Sequence, residues 1–172
     1  MKNLDKVYKE YRKIAKTIAD MTNEDHIGQD EKTFYASMRF LSAQRWASRV
    51  EYYQRNKFGL EKVPASKGRG DAKTKETYIE QKTTFLSDSN TQANFVQLRP
   101  HHKCDYLLTI VNEDNSLVEL YLTHDQMVVE IDAIGGLAHG TKNEEHKSNP
   151  EYAIRLKKDQ IKDWEAKYAF VG

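Results

Sequence analysis

Hydrophobic positions in the first third of the chain recur at helical spacing. Leu4, Val7, Tyr8, Tyr11, Ile14, Ala15, Ile18 and Ala19 step by threes and fours. That spacing predicts an amphipathic helix over 3–20, packed on its apolar side, with Lys and Arg on the outer face. Residues 23–30 are polar and include Gly28, so they predict a connection. A longer helix is predicted from about Glu31 to Lys57, with Phe34, Met38, Leu41, Val50 and Tyr53 on or near one stripe. Gly59 before apolar Leu60 reads as the left-handed stop of that helix.

The pattern then changes. Pro64, Ser66, Gly68 and Gly70 break any helix between 61 and 70. Strand-like segments follow at 70–73, 77–85, 94–99, 105–111 and 117–123. Asn112-Glu113-Asp114-Asn115 is a turn, so the last two strands are expected to form an antiparallel hairpin. A helix over 124–134 is stopped by Gly135-Gly136, a polar loop occupies 138–150, and a helix around 158–170 closes the chain. This order implies an α/β fold with a mixed central sheet flanked by helices. The expected organisation is one domain over 1–172: helices over 1–60, a sheet core over 61–123, and helices with a loop over 124–172.

Composition narrows the class. The 172 residues fit one domain, and at this size no disulfide is needed for folding. The chain is 38% hydrophobic and 31% charged, with mean hydropathy −0.83. Only 36 residues are Leu, Ile, Val or Phe, close to the range of disordered chains. Disorder also requires high net charge, and 27 basic against 26 acidic residues leave only +1. A folded, highly charged domain is therefore expected. Near-neutrality argues against a histone-like polycation and leaves room for a local phosphate-binding patch. The lone Cys104 excludes an intramolecular disulfide. Charge at the N-terminus and the lack of a long apolar run point to a cytoplasmic protein without membrane attachment.

Candidate chemistry is concentrated between Gly68 and Lys82. If the flanking strands pair through a loop centred between Lys75 and Glu76, Asp71 faces Glu80. Opposed side chains share one face with Cβ atoms about 4.5–5.5 Å apart. Lys82, two residues beyond Glu80, projects from that face too. A loop of odd length would need a bulge to keep this register. Two carboxylates suit Mg2+, and a lysine beside them suits stabilisation of charge on a phosphorus. The plain alternative is a solvated hairpin carrying cross-strand charges. Acid–x–Lys occurs five times in the chain, and only Glu80/Lys82 lies in a strand-rich run with another acid on a neighbouring strand.

At these residues the chain resembles the PD-(D/E)xK nuclease superfamily, and within it type II restriction endonucleases. The matching pieces are Asp71 after a glycine turn and Glu80-x-Lys82 on the next strand. The resemblance extends to Glu51 on the preceding helix and to Phe95–Arg99 followed by Asp105–Leu108. It implies a restriction endonuclease-like core and a Mg2+-dependent endodeoxyribonuclease, with Mn2+ able to replace Mg2+. Asp71, Glu80 and Lys82 would be catalytic; Asp71, Glu80 and Glu51 would hold metal; Gln97 would support the site. The partners implied are double-stranded DNA and a second copy of the chain, with no small-molecule cofactor. The residue before Asp71 is Gly70 rather than Pro, a departure common in the family.

Residues 62–82 carry six basic and three acidic side chains. Lys62, Lys67, Arg69, Lys73 and Lys75 are therefore candidates for phosphate contact, together with Arg99. His139, Lys142 and Asn143 in the polar loop are candidates for contact with DNA. His101-His102-x-Cys104 lacks the paired spacing of a zinc site, so Cys104 is read as leading into a strand and the histidines as turn or surface. The competing functional class is a non-catalytic nucleic-acid-binding or assembly protein. Among enzymes, a repair or junction-resolving nuclease fits the same residues.

Overall fold

The computed structural model describes residues 2–64, 69–138 and 149–170. The chain divides into two compact units, 1–58 and 59–172.

The first unit is helical: α1 (Lys2–Asp20), α2 (Asn23–His26), α3 (Glu31–Met38) and α4 (Ala43–Phe58). Thr22 and Asp25 form a capping box, which turns part of the expected connection into the short helix α2. The long helix expected over 31–57 is broken. Phe40 and Leu41 amides bond back three residues, and the Ser42 carbonyl accepts the Arg45 and Trp46 amides that start α4. Serine is weak inside a helix and strong at its start, so the break falls there. Phe34, Tyr35 and Met38 are fully buried, and Phe34 stacks on Tyr53 with ring centroids 3.9 Å apart. Arg49 ends α1 by donating to the carbonyls of Ala19 (3.0 Å) and Met21 (2.7 Å). Along α1, Ile18 is buried and Tyr11 meets the Phe40 ring at 5.2 Å, but the stripe from Leu4 to Ile14 is largely exposed, contrary to the packed helix expected. Gly59 follows α4 at φ +63°, as its place in the sequence predicts.

The second unit holds two sheets. β1 (Glu61–Lys62), β2 (Ala72–Lys73), β3 (Tyr78–Phe85), β5 (Asp105–Val111) and β6 (Leu117–Leu122) form a mixed sheet in the order β1-β2-β3-β5-β6. Neighbours are antiparallel except β3 and β5, which run parallel. β4 (Ala93–Leu98), β8 (Tyr152–Leu156) and β7 (Gly136–Leu137) form an antiparallel sheet in the order β4-β8-β7. A parallel pair needs a long crossover. Residues 86–104 supply it through β4, with no helix. β1 lies where the sequence reads only as a helix breaker.

Helices α5 (His124–Ile134) and α6 (Lys158–Tyr168) flank the sheets, α5 against β5, β6 and β8, and α6 against β6 and β8. The core between these layers takes Tyr106, Leu108 and Ile110 from β5, Leu120 and Leu122 from β6, and Phe95, Leu98, Ile154 and Leu156 from the smaller sheet. Met127, Ile131, Ile161 and Trp164 close it from the helices. The fold is therefore mixed α/β with flanking helices. Among the described residues, no helix is long and apolar enough to cross a membrane.

Candidate active site

The β2–β3 hairpin turns through Lys75-Glu76. The Thr74 amide donates to the Thr77 carbonyl at 2.9 Å, and Thr74 Oγ1 accepts the Glu76 and Thr77 amides. The two-residue loop sets Ala72 opposite Ile79 and Lys73 opposite Tyr78. Continued by one residue, that register brings Asp71 across from Glu80. Asp71 is bonded on both sides of that glutamate. Its amide donates to the Ile79 carbonyl at 2.9 Å, and its Oδ2 accepts the Gln81 amide at 3.1 Å.

Gly70 permits this approach. Its φ is +73°, and a Cβ there would lie 2.6 Å from the Ile79 carbonyl oxygen. Any side chain would push the strand carrying Asp71 away from β3.

β3 is the middle strand of five. Glu80 stands beside Tyr106 of β5 and Lys82 beside Leu108, so both project on the side that carries the core. Lys82 Nζ lies 2.7 Å from Glu80 Oε1, with side-chain exposures of 20% and 9%. Removing two charges from water costs several kcal/mol per ion, and close pairing offsets that cost.

Cys104 reports on the same spot from the start of β5. Burial, then Glu80, Asp105 and Asp71 in that order, push its thiol up to about 12. Three carboxylates thus act on one buried sulfur. Asp105 is committed elsewhere: Tyr121 Oη donates to its Oδ2 at 2.6 Å and the His124 amide to its Oδ1 at 2.9 Å. That leaves Asp71 and Glu80 as the pair of interest. Among the described residues, no group of three or more His, Cys, Asp and Glu side chains is arranged to hold a metal ion.

The loop 99–104 brings a residue that sequence reading set aside. His102 is half-buried, and the charges acting on it are Arg99, Glu80, Glu151 and Lys82. Burial first and Arg99 second hold its imidazole below the ordinary range. Only the parallel pairing of β5 with β3 brings that loop beside Glu80, and local spacing does not encode such pairing.

No protein-family model matches the chain, and no curated protein does.

The other described candidates lie on several different elements. Glu51 belongs to the helical unit, on α4, where it lies 3.9 Å from Arg55. Gln97 lies on β4 in the smaller sheet, exposed, at φ +56° where the register with β8 shifts. Arg99 Nε donates to Glu151 at 2.7 Å, and Lys73 pairs with Glu61 at 2.9 Å. Arg69 is exposed, with its guanidinium 5.9 Å from the centre of the Tyr78 ring. Lys62 and Lys75 are exposed. Lys67, His139, Lys142 and Asn143 lie outside the described residues.

Proposed function

We propose that the chain is a Mg2+-dependent endodeoxyribonuclease of the restriction-like kind, cutting double-stranded DNA through Asp71, Glu80 and Lys82. One observation carries the reading: a buried Glu80 paired with a partly buried Lys82 on the central strand, with Asp71 bonded on both sides of the glutamate. Apolar residues of similar volume serve a core at least as well as a buried ion pair, so stability alone does not account for this one. Handling a phosphate accounts for it.

The donor set fits the metal. Mg2+ takes one or two carboxylates and completes its shell with water and phosphate oxygens, and Asp71 with Glu80 supply that number. Bound there, the ion would lower the pKa of a water and neutralise charge on the phosphorus. Lys82 would release Glu80, orient the attacking water and stabilise the charge that builds on the phosphoryl oxygens. His102, at the margin of the cluster, would donate to a phosphate oxygen.

The five-stranded sheet would be the restriction endonuclease-like core, with β4 and its partner sheet standing in for a crossover helix. Two active sites would cut the two strands, which requires two copies of the chain. The test is incubation of the purified chain with duplex DNA and Mg2+ or Mn2+. Discrete fragments that disappear in Glu80→Gln are expected. Uncut DNA with either ion would refute the nuclease and leave a binding protein.

A further inference from the structure

Two basic side chains are in contact inside the helical unit. His26 of α2 is 2% exposed, and its Nε2 lies 3.1 Å from Nη1 of Arg49 on α4. A guanidinium carries only donors, so Nε2 must accept and the imidazole must be neutral, with its proton on Nδ1. Among the described residues, no carboxylate is hydrogen-bonded to either ring nitrogen. A carboxylate would favour the charged ring; a guanidinium opposes it.

Every element around the ring leaves that opposition in place. From α3 the Phe34 ring stands edge-on, with centroids 5.5 Å apart. α1 presents the carbonyls of Ala19 and Met21, and both accept from Arg49. On α2 itself, Asp25 Oδ2 accepts the Thr22 amide at 2.6 Å and the Thr22 hydroxyl at 2.9 Å. Glu24 accepts from Tyr52 of α4 at 3.1 Å. Burial first and Arg49 second hold the His26 imidazole below its ordinary 6.5, against a smaller opposing pull from Gln29 and Asp25.

A proton on Nε2 would remove the acceptor and set two cations 3.1 Å apart, away from water. Like charges repel most strongly where water is excluded, so one of the two side chains must then leave. Arg49 is the side chain that ties the end of α1 to α4, and His26 is the buried anchor of α2. Either departure opens the same corner.

We propose that the His26–Arg49 contact is a pH-sensitive latch: neutral His26 seats Arg49 on the end of α1, and protonation releases the corner where α1, α2 and α4 meet. An opened His26 takes its proton near 6.5, and a seated one only at lower pH. Between those values the open form binds more protons, so opening grows as pH falls. The latch is independent of the nuclease reading, because it is measured without DNA or metal.

Histidine ring NMR and amide hydrogen exchange on the full chain test it, from about pH 7.5 to 5. His26, assigned through its ring contact with Phe34, should titrate below 6.5. Protection of the amides in 15–27, corrected for the intrinsic rate, should fall by up to about tenfold per pH unit below that value, the effect of one proton taken up on opening. His26→Gln offers Arg49 an uncharged acceptor and should keep its protection across the range. If that variant fails to fold, the titration and exchange of the native chain decide. A His26 that titrates at or above 6.5 overturns the proposal, as does equal protection at both ends of the range. A pH dependence that persists unchanged in His26→Gln overturns it too, because the titrating group then lies elsewhere.

Discussion

Two acid–x–lysine triplets lie on the β2–β3 hairpin, opposed only at Asp71 and Glu80, and they behave differently. In Asp71-Ala72-Lys73 the lysine leaves its own acid and pairs with Glu61 of β1, at side-chain exposures of 41% and 66%. In Glu80-Gln81-Lys82 the lysine holds its own acid, with both groups largely withdrawn from water. The spelling is nearly the same; the strand is not. β2 lies near the sheet's edge, where a pair is screened and contributes little. β3 lies at the centre, flanked on both sides, where a carboxylate is kept only with a partner.

The largest expected effect breaks the comparison or upholds it. Glu80→Gln and Lys82→Ala should each lower DNA cleavage about 100-fold or more, as loss of a charge-stabilising group does. Lys73→Ala should stay within about twofold. Lys82→Ala also leaves Glu80 buried without its cation, at a cost of about 3 kcal/mol in urea unfolding. Lys73→Ala should leave the urea midpoint in place. Equal loss of cleavage in both lysine variants would mean that the central strand confers nothing.

Next come the glycines. Gly70→Ala forces a Cβ against the Ile79 carbonyl at a left-handed φ. It should cost about 2 kcal/mol or more and lower cleavage about tenfold, because Asp71 is displaced with it. Gly59→Ala has a similar φ of +63° and nothing within 4 Å. It should cost about 1 kcal/mol and leave cleavage unchanged.

Much of this hairpin was legible in the sequence, for a local reason. Thr74-Lys75-Glu76-Thr77 closes a two-residue loop, and loop length sets register, so placing Asp71 against Glu80 needed only short-range reasoning. β5 and α5 were legible for the same kind of reason. Asp105–Val111 is an apolar run bounded by a turn, and His124–Ile134 lies between the Thr123 cap and Gly135. The smaller sheet was not legible, since β4 pairs with β8 across more than fifty residues and alternation does not name a distant partner. Gln97 was misleading: it sits in an apolar alternation, yet the shift between Phe95 and Leu98 leaves it exposed at positive φ. The break at Ser42 was missed because the apolar stripe runs across it, and only the serine marks a new start.

A smaller effect concerns the charge of the two carboxylates when no divalent ion is present. Asp71 and Glu80 repel a phosphate, and a divalent ion reverses that sign. DNA should bind about fivefold more tightly with Ca2+, which does not support cutting, than with EDTA. Asp71→Asn should shrink the gain, since a repelling charge and a ligand are lost together. Lys73→Ala should keep it, and fluorescence anisotropy with labelled duplex separates the two outcomes.

The smallest effect is read from Cys104. Its thiol is pushed up to about 12, by burial above all and then by Glu80, from an ordinary value of 9.0. Between those values the unfolded chain binds fewer protons than the native one. Stability therefore falls as pH rises through that window. The thiolate is the reactive form, so iodoacetamide should modify the native thiol far more slowly than the unfolded one at pH 9. Glu80→Gln removes the carboxylate that acts most strongly on the thiol, favours the thiolate and should speed native alkylation about twofold, with burial still in control. Lys73 is absent from the groups acting on that sulfur, so Lys73→Ala should leave the rate unchanged. Equal acceleration in both variants would place the two triplets in one electrostatic environment, and the contrast between edge and centre would be lost.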